Sequence, residues 1–167
     1  DSSPALLVYD AEIELLSVRG SRRIPYSDFH TGYKQNALAA DELLYAIHLP
    51  RRFAQHRQYL RKVGTRRAMA VSKTALAATA LLQGRVVSEV RVAAASLAPF
   101  PARLHQVEAA LLHQSIDSHT IQSARAALLA EAKPIDDIRS TAEYRSRVAA
   151  NLLEEFLIEL RSEGPSK

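Results

Sequence analysis

The sequence predicts an α+β fold. Apolar residues make up 47% of the 167 residues, which is enough for a folded core. The candidate strands all lie before the Pro99-Phe100-Pro101 segment, and the candidate helices all follow it. Strands followed by helices are typical of α+β domains, in which the two kinds of element segregate.

The first fifty residues are predicted to be rich in β-structure. Residues 11–18 partly alternate isoleucine and leucine with glutamate, which indicates a half-buried strand. Residues 19–21 are typical of a turn, so residues 22–26 are expected to return as the hairpin partner. Pro25 must then lie at an edge or strand end, because proline has no N–H to donate. Residues 43–49 are a further candidate strand.

The central region contains one ambiguous segment. Residues 53–62 are a plausible strand, and residues 86–97 alternate in the way that strands do. The alanine content of residues 68–82 favours a helix, but a glycine-containing turn at residues 83–85 separates this run from the next. We therefore predict a hairpin, and the small residues on both of its faces would let another layer pack closely.

Three helices are predicted in the last third of the chain. The second has an apolar stripe at Ile121, Ala124 and Leu128. The predicted helices cover residues 104–113, 117–131 and 140–161.

The stretch PIDDIRSTAEYRSRVAANLL, residues 134–153, allows two interpretations. Asp136 and Asp137 are either a catalytic carboxylate pair or the approach to a structural helix. Ser140 and Glu143 have the spacing of a capping box. A core-facing stripe follows, and we prefer the capped helix. The predicted stripe is Tyr144, Val148, Leu152, Phe156 and Leu160, with Leu153 and Leu157 beside it.

Positive charge is concentrated in one region. The net charge is +4, and residues 43–88 contain nine arginines and lysines but no acidic residue. Such a stretch attracts phosphate or an acidic surface. A nucleic-acid-binding or protein-interaction module without catalysis is thus an alternative function. Stacking on bases would need exposed aromatic residues, and only Tyr45, Phe53 and Tyr59 are available there. The simpler interpretation is a solvated face that balances acidic segments elsewhere, and we expect no nucleic-acid partner.

Several classes of site are not expected. The chain has no cysteine, so it has no thiolate ligands for zinc or iron–sulfur clusters and no disulfides, which suits a cytoplasmic protein. Its six histidines lack metal-binding spacing, and neither G-x-S-x-G nor a Walker A motif is present. No apolar run is long enough to cross a membrane. We predict no catalytic acid, base or nucleophile and no metal site.

Four stretches in order resemble one family. The first covers residues 1–15 and ends in ALLVYDAEIEL. The others are RRIPYSDFHTGYKQNALAADELLYAIHLP, RKVGTRRAMAVSKTALAA and PIDDIRSTAEYRSRVAANLL. Together the chain resembles the carboxy-terminal portion of the FAD-binding subunit of the molybdenum hydroxylases, the xanthine dehydrogenase and carbon monoxide dehydrogenase flavoproteins.

The resemblance implies a domain organisation. Residues 1–52 would be the end of the second, β-rich FAD-binding subdomain. Residues 53–167 would be the carboxy-terminal domain, an antiparallel β-sheet of three or four strands covered on one side by three helices. It also implies that residues 68–82 form a strand at least in their later half. The glycine-rich turns that hold the FAD pyrophosphate would precede this chain, which makes it a fragment.

The resemblance also implies cofactor-binding residues. Asp1 would bind the sugar portion of FAD, Leu44 would pack beside the isoalloxazine, and Lys62 would open the loop beside the flavin ring. That loop, residues 63–69, is Gly-Thr-Arg-Arg-Ala-Met after Val63. It departs from the acidic run of some xanthine dehydrogenases, which leaves the electron acceptor open.

In an intact enzyme of this family, FAD carries electrons from [2Fe–2S] clusters to NAD or another acceptor. The molybdopterin cofactor and the clusters would lie in partner subunits or domains of a hetero-oligomer.

Overall fold

The computed structural model describes residues 2–66 and 70–162. The first fifty residues contain α1 (Ser3–Val8), β1 (Glu12–Ser17), β2 (Gly20–Pro25), β3 (His30–Gly32), β4 (Gln35–Asn36) and β5 (Leu43–His48). They fold around a three-stranded antiparallel sheet, in which β1 lies between β2 and β5. The two shorter strands, β3 and β4, form a separate hairpin. The predicted strands 11–18 and 43–49 are confirmed as β1 and β5. The strand predicted over residues 22–26 is β2, which begins at Gly20, inside the predicted turn, and ends at Pro25.

A second antiparallel sheet has the order β6-β7-β8-β9, and three helices follow it. The strands are β6 (Arg57–Gly64), β7 (Ser72–Gln83), β8 (Val86–Ala95) and β9 (Ala102–Arg103), and the helices are α2 (His105–Leu111), α3 (Ser118–Glu131) and α4 (Ala142–Ser162). The α+β prediction is therefore confirmed, as are the hairpin formed by β7 and β8 and the three C-terminal helices.

Two predicted strands begin later than expected, and several short elements, including β9 and two 3-10 helices, were not predicted. Residues 51–55 form a short 3-10 helix, so the strand predicted from residue 53 begins at Arg57. The strand predicted from residue 68 begins at Ser72, and residues 67–69 lie outside the described residues. Helix α1 and the β3–β4 hairpin escaped prediction because a six-residue helix and two- or three-residue strands are too short to show a period.

Strand β7 is buried on both faces, which accounts for its alanines. Every residue from Thr74 to Ala80 is buried. Leu76 and Ala78 face the main core beneath α2, α3 and α4, whereas Ala77 and its cross-strand partner Ala93 belong to a second core with α1 and β1. The three helices cover one side of the sheet as predicted, and the N-terminal elements cover the other.

The turn between β7 and β8 depends on a glycine. Gly84 has a φ of +64°, in the left-handed region that residues with a Cβ atom rarely adopt. The glycine-containing turn predicted at residues 83–85 is thus confirmed, and it allows the two longest strands of the sheet to pair directly.

The cap of α4 differs by one residue from the predicted capping box. The Thr141 hydroxyl accepts the N–H of Tyr144 at 3.2 Å, and Asp136 accepts the N–H of Ala142 at 2.6 Å. Glu143 does not reach back to Ser140; its carboxylate instead accepts a bond from Arg147, one turn further along the helix. The first turn is therefore capped by Thr141 and Asp136, and the prediction that Ser140 and Glu143 form a box was wrong.

The beginning of the apolar stripe of α4 also differs from the prediction. Tyr144 is 41% exposed, whereas its neighbour Arg145 is only 3% exposed. Val148 is partly buried. From Ala149 onward the helix follows the predicted pattern, with Leu152, Leu153, Phe156, Leu157 and Leu160 all buried.

Arg145 is buried because it joins α4 to β7. Its Nη1 donates to the Lys73 carbonyl at 2.6 Å, and its Nη2 donates to Asp137 Oδ1 at 2.5 Å. The same Asp137 oxygen accepts the N–H groups of Arg139 and Ser140 at 2.8 and 3.1 Å. These backbone bonds, together with the Arg145 guanidinium, lower the pKa of Asp137. Asp136 and Asp137 thus accept hydrogen bonds that order the segment leading into α4. This agrees with the interpretation of the pair as the approach to a structural helix.

A clamp around Glu42 orders the entry to β5. Arg22 Nε and Nη2 donate to its two carboxylate oxygens at 2.6 and 2.8 Å, and the Ala39 N–H donates to Oε2 at 2.8 Å. The hydrogen bonds from Arg22, and then that from Ala39, lower the pKa of Glu42 to about 2. Because β5 begins at the next residue, this clamp sets where its first residues lie.

The cap of α4 gives the first prediction. Replacing Thr141 with alanine removes the acceptor for the Tyr144 N–H, so Thr141→Ala should lower the free energy of unfolding by about 1 kcal/mol. Ser140→Ala is the matched control and should change it by no more than a few tenths of a kcal/mol, since no described bond uses the Ser140 hydroxyl. Urea unfolding measures both. A larger cost for Ser140→Ala than for Thr141→Ala would contradict the assigned cap.

The Glu42 clamp gives a prediction about pH. The folded pKa of about 2 lies below the ordinary value of 4.5, so the stabilisation is fully present above pH 4.5 and is lost as the pH falls toward 2. An NMR titration of the Glu42 carboxyl carbon should show a midpoint close to 2. In Glu42→Gln, the acid-induced rise in hydrogen exchange at the start of β5 should disappear. A Glu42 midpoint near 4.5 would show that the clamp is not formed in solution.

Candidate functional site

The proposed flavin residue Leu44 lies on an edge strand of the N-terminal sheet. It pairs with Leu15 of β1 beside a register shift, and its side chain is 40% exposed. Large apolar side chains are exposed along the whole of β5 and just beyond it, on both faces. They are Leu43, Leu44, Tyr45, Ile47 and Leu49. These apolar side chains are clustered on one strand and not scattered singly over the surface. Clusters of exposed apolar side chains mark contact sites.

Lys62 lies near the end of β6, the edge strand of the second sheet. It is exposed and pairs with Ala75 of β7. A register shift follows between Val63 and Gly64. A Cβ atom on Gly64 would lie 2.9 Å from the Cβ of Ala70, so only glycine fits where the loop returns. Lys62 thus lies two residues before the point where Gly64 comes close to Ala70.

The structure places the predicted site residues in different parts of the fold. Leu44 and Lys62 belong to edge strands of two different sheets. Asp1 lies outside the described residues, and so do Arg67, Ala68 and Met69 of the predicted flavin loop.

The basic segment acquires acidic partners from elsewhere in the chain. Arg52 pairs with Asp10, and Arg61 lies 3.2 Å from Glu155 and 3.7 Å from Glu159 of α4. Other cations of the segment, including Lys62, also have interactions within the protein. These pairs support the interpretation of the segment as a balanced face.

Sequence reasoning missed a charge cluster that joins the two parts of the chain. Asp10 has a φ of +46°. Its carboxylate forms ion pairs with Arg52, Arg91 and Arg103. Arg103 also forms a bidentate pair with the buried Glu108 at 2.9 and 2.7 Å. No local spacing connects these five residues, so only the fold reveals them.

A cavity of about 500 Å³ was also missed. It lies between the loop after β8, the approach to α4 and the β3–β4 turn. Its walls are mainly apolar, and its polar lining includes Asp137, Arg139 and Arg145. The apolar lining includes Tyr33, Pro99, Phe100, Pro101 and Ile135. Each segment contributes only a few residues, so no single stretch of sequence signals the cavity.

Two further features of the described residues bear on the kind of site. Within residues 2–66 and 70–162, no three His, Asp or Glu side chains gather as metal ligands would. Over the same ranges, no helix combines the length and apolarity needed to cross a membrane.

Comparison with known families matches almost the whole chain. Residues 1–52 match the family described as "FAD binding domain in molybdopterin dehydrogenase". Residues 59–160 match the "CO dehydrogenase flavoprotein C-terminal domain".

Individual relatives agree with the family matches. The putative xanthine dehydrogenase FAD-binding subunit XdhB of Escherichia coli (strain K12) is 30% identical over 160 residues, covering 95% of this chain and 55% of that protein. The carbon monoxide dehydrogenase medium chain of Hydrogenophaga pseudoflava is 26% identical over 155 residues, covering 92% of this chain and 54% of that protein. The chain therefore spans about half the length of these relatives.

Solved structures share the fold. Carbon monoxide dehydrogenase from Hydrogenophaga pseudoflava, in a form lacking the Mo-pyranopterin moiety, matches with a TM-score of 0.86 and 25% identity, covering 93% of this chain and 54% of that one. Reconstituted CO dehydrogenase from Oligotropha carboxidovorans matches with a TM-score of 0.89 at 22% identity, covering 97% of this chain and 56% of that one. The sequence resemblance is confirmed: the chain belongs to the family of FAD-binding flavoprotein subunits of the molybdenum hydroxylases.

Proposed function

We propose that this chain is the carboxy-terminal portion of the FAD-binding subunit of a xanthine dehydrogenase-type molybdenum hydroxylase, acting in the cytoplasm. The observation that carries the proposal is the succession of two family matches, at residues 1–52 and 59–160, on one continuous fold. The 30% identity to a putative xanthine dehydrogenase subunit supports the xanthine dehydrogenase type.

We further propose that the chain divides near residue 52. Residues 1–52 would be the end of the second FAD-binding subdomain, and residues 53–167 the carboxy-terminal domain. The 3-10 helix at Arg51–Gln55, which separates the two larger sheets, supports this division. The two segments nevertheless share the core around Ala77 and Ala93, so the carboxy-terminal domain would not be covered on both faces without the first.

The described residues suit the ring portion of FAD, and Asp1 is proposed for the sugar portion. The exposed apolar side chain of Leu44 suits packing beside the isoalloxazine, and Asp1 is proposed to bind the sugar portion. Lys62, exposed near the end of β6, would place positive charge beside the ring and favour negative charge on the reduced flavin. When bound, FAD supplies the electron-transfer chemistry, which the protein positions and tunes.

The residues present do not fit the pyrophosphate. The five glycines of the chain are widely separated, whereas cradling a pyrophosphate with backbone N–H groups takes clustered glycines. The preceding part of the subunit would supply those turns. The 167-residue chain alone should consequently bind FAD weakly or not at all.

The intact subunit would transfer electrons and hydroxylate nothing itself. We propose that it receives electrons from [2Fe–2S] clusters and delivers them to NAD or another acceptor. An iron–sulfur subunit or domain and a molybdopterin-binding subunit would complete a hetero-oligomer. The alternative, a nucleic-acid-binding module, loses support because Arg52 and Arg61 of the basic segment pair with carboxylates of this chain.

The proposal predicts how Lys62 acts in the intact subunit. The wild-type subunit should purify with FAD, and Lys62→Gln should retain the flavin but lower its reduction potential. The expected shift is on the order of 20 mV. An exposed charge contributes up to about 1 kcal/mol, and 1.4 kcal/mol corresponds to about 30 mV in a two-electron couple. Spectroelectrochemical titration measures the potential directly.

Lys133→Gln, which removes an exposed lysine of the segment between α3 and α4, is the matched control and should leave the potential unchanged. An equal potential in Lys62→Gln and wild type would refute the role of Lys62 alone. A wild-type subunit that binds no FAD would refute the proposed function itself.

A further inference from the structure

We propose that the cavity beside α4 is a docking site for a second, separately folded subunit. The partner would present a large apolar side chain flanked by carboxylates. This inference rests on the proposed function, because it requires that the subunit work in a multi-subunit enzyme. The docking surface is defined by the cavity lining around Phe100 and Ile135, together with the exposed Ile138 next to it.

The shape and lining of the cavity suit an apolar anchor. Its volume is about 500 Å³, and its walls include two aromatic rings, those of Tyr33 and Phe100, between two prolines and Ile135. The Phe100 ring is held in place by stacking on His30, with 6.4 Å between ring centroids. Anchor residues of protein interfaces occupy pockets of this kind.

The apolar surface extends beyond the cavity, which favours a protein over a small ligand. Ile138 is fully exposed, and Ile135 and Tyr33 are each about two-thirds exposed. A small molecule would fill the cavity but leave the Ile138 side chain in water. A protein surface covers both, and exposed apolar patches of this extent mark such contacts.

Positive charge surrounds the apolar centre. Lys34 lies 5.4 Å from the centroid of the Tyr33 ring, and Lys73 lies 4.9 Å from that of Tyr144 on the first turn of α4. Arg139 lines the cavity, and no described carboxylate lies within ion-pair distance of it. The charged residues of the lining are Asp137, Arg139 and Arg145. Asp137 pairs with Arg145, which leaves the positive charge of Arg139 to complement an acidic partner and steer its approach.

A buried donor at the same place also lacks a partner. Arg145 lines the cavity and is 3% exposed; Asp137 and the Lys73 carbonyl engage its two Nη atoms. Its Nε–H has no acceptor among the described residues. Leaving a buried donor unpaired is unfavourable, so an acceptor brought by the partner would stabilise the complex.

The preceding part of the same polypeptide has a better place to pack. Within the described residues, β5 hydrogen-bonds to a strand on one side only, and its exposed side chains are apolar. Such an edge can extend a sheet within one chain. An apolar centre surrounded by a polar rim is instead the usual arrangement at interfaces between separately folded proteins.

Photocrosslinking in the intact complex tests this assignment. Ile138 is replaced by p-benzoylphenylalanine in the tagged, full-length subunit, and the complex is purified with its partners and irradiated. Because the Ile138 side chain is fully exposed, the substitution should not disturb folding. Val18, fully exposed in the turn between β1 and β2, receives the same substitution as the control. A crosslink from position 138, but not from position 18, to an acidic segment of another subunit is expected.

Charge reversal provides a second measurement on the same complex. Arg139→Glu should weaken association with the partner on the order of tenfold, and raised salt should reduce the difference from wild type. Arg85→Glu makes the same charge change at the tip of the β7–β8 hairpin and should leave the affinity unchanged.

The outcomes separate this inference from the proposed function. If the flavin-containing complex forms but position 138 crosslinks to nothing, or only to the preceding half of its own chain, the docking assignment is overturned and the function stands. Equal affinities for Arg139→Glu and Arg85→Glu would also overturn it. If the subunit purifies without flavin and without partners, the proposed function fails as well.

Discussion

The double-sided burial of the β7–β8 hairpin is the constraint on which the rest of the structure depends. From Thr74 to Ala80, no residue of β7 reaches solvent. A strand of this kind is stable only if both faces of its sheet are covered. Leu76 and Ala78 pack against the helical layer, and Ala77 packs against α1 and β1 on the other face. The small side chains allow both layers to approach the sheet closely. This explains why β7 is rich in alanine, although alanine favours helices.

Charged contacts then set the positions of the covering layers. Asp10 ties the end of α1 to Arg91 of β8 and Arg103 of β9, while Arg145 ties the start of α4 to the β7 backbone. A buried ion pair is a weak guide to net stability, but removing one partner leaves an uncompensated charge. Two of the edge strands, β5 and β6, carry the two described residues proposed to contact FAD. The packing of the two layers on the β6–β9 sheet therefore determines where these edge strands lie.

Much of the fold could be predicted from the sequence, because alternation and helical periodicity are local properties. The α3 stripe and the later part of α4 followed from spacing alone. The ambiguity of residues 68–82 arose because alanine suits either a helix or a strand buried on both faces. Tyr144 was misjudged because its neighbour Arg145 is the buried residue, held by a bond to Lys73, 72 residues away. Leu44 and Lys62 came from the family resemblance, whereas the cavity and the Asp10 cluster combine distant segments and had no local signal.

Hydrogen exchange across a denaturant series most directly tests the claim that one sheet is the shared core of both layers. If the core is shared, β7 and β8 amides near Ala77 and Ala93 should exchange slowest. Amides of β1 and of α4 should then lose protection together with them at the same denaturant concentration. Loss of protection in β1 at much lower denaturant, with β7 and α4 unaffected, would contradict a shared core. The N-terminal layer would then be an addition to the sheet, and the β6–β9 sheet with its three helices would be stable without it.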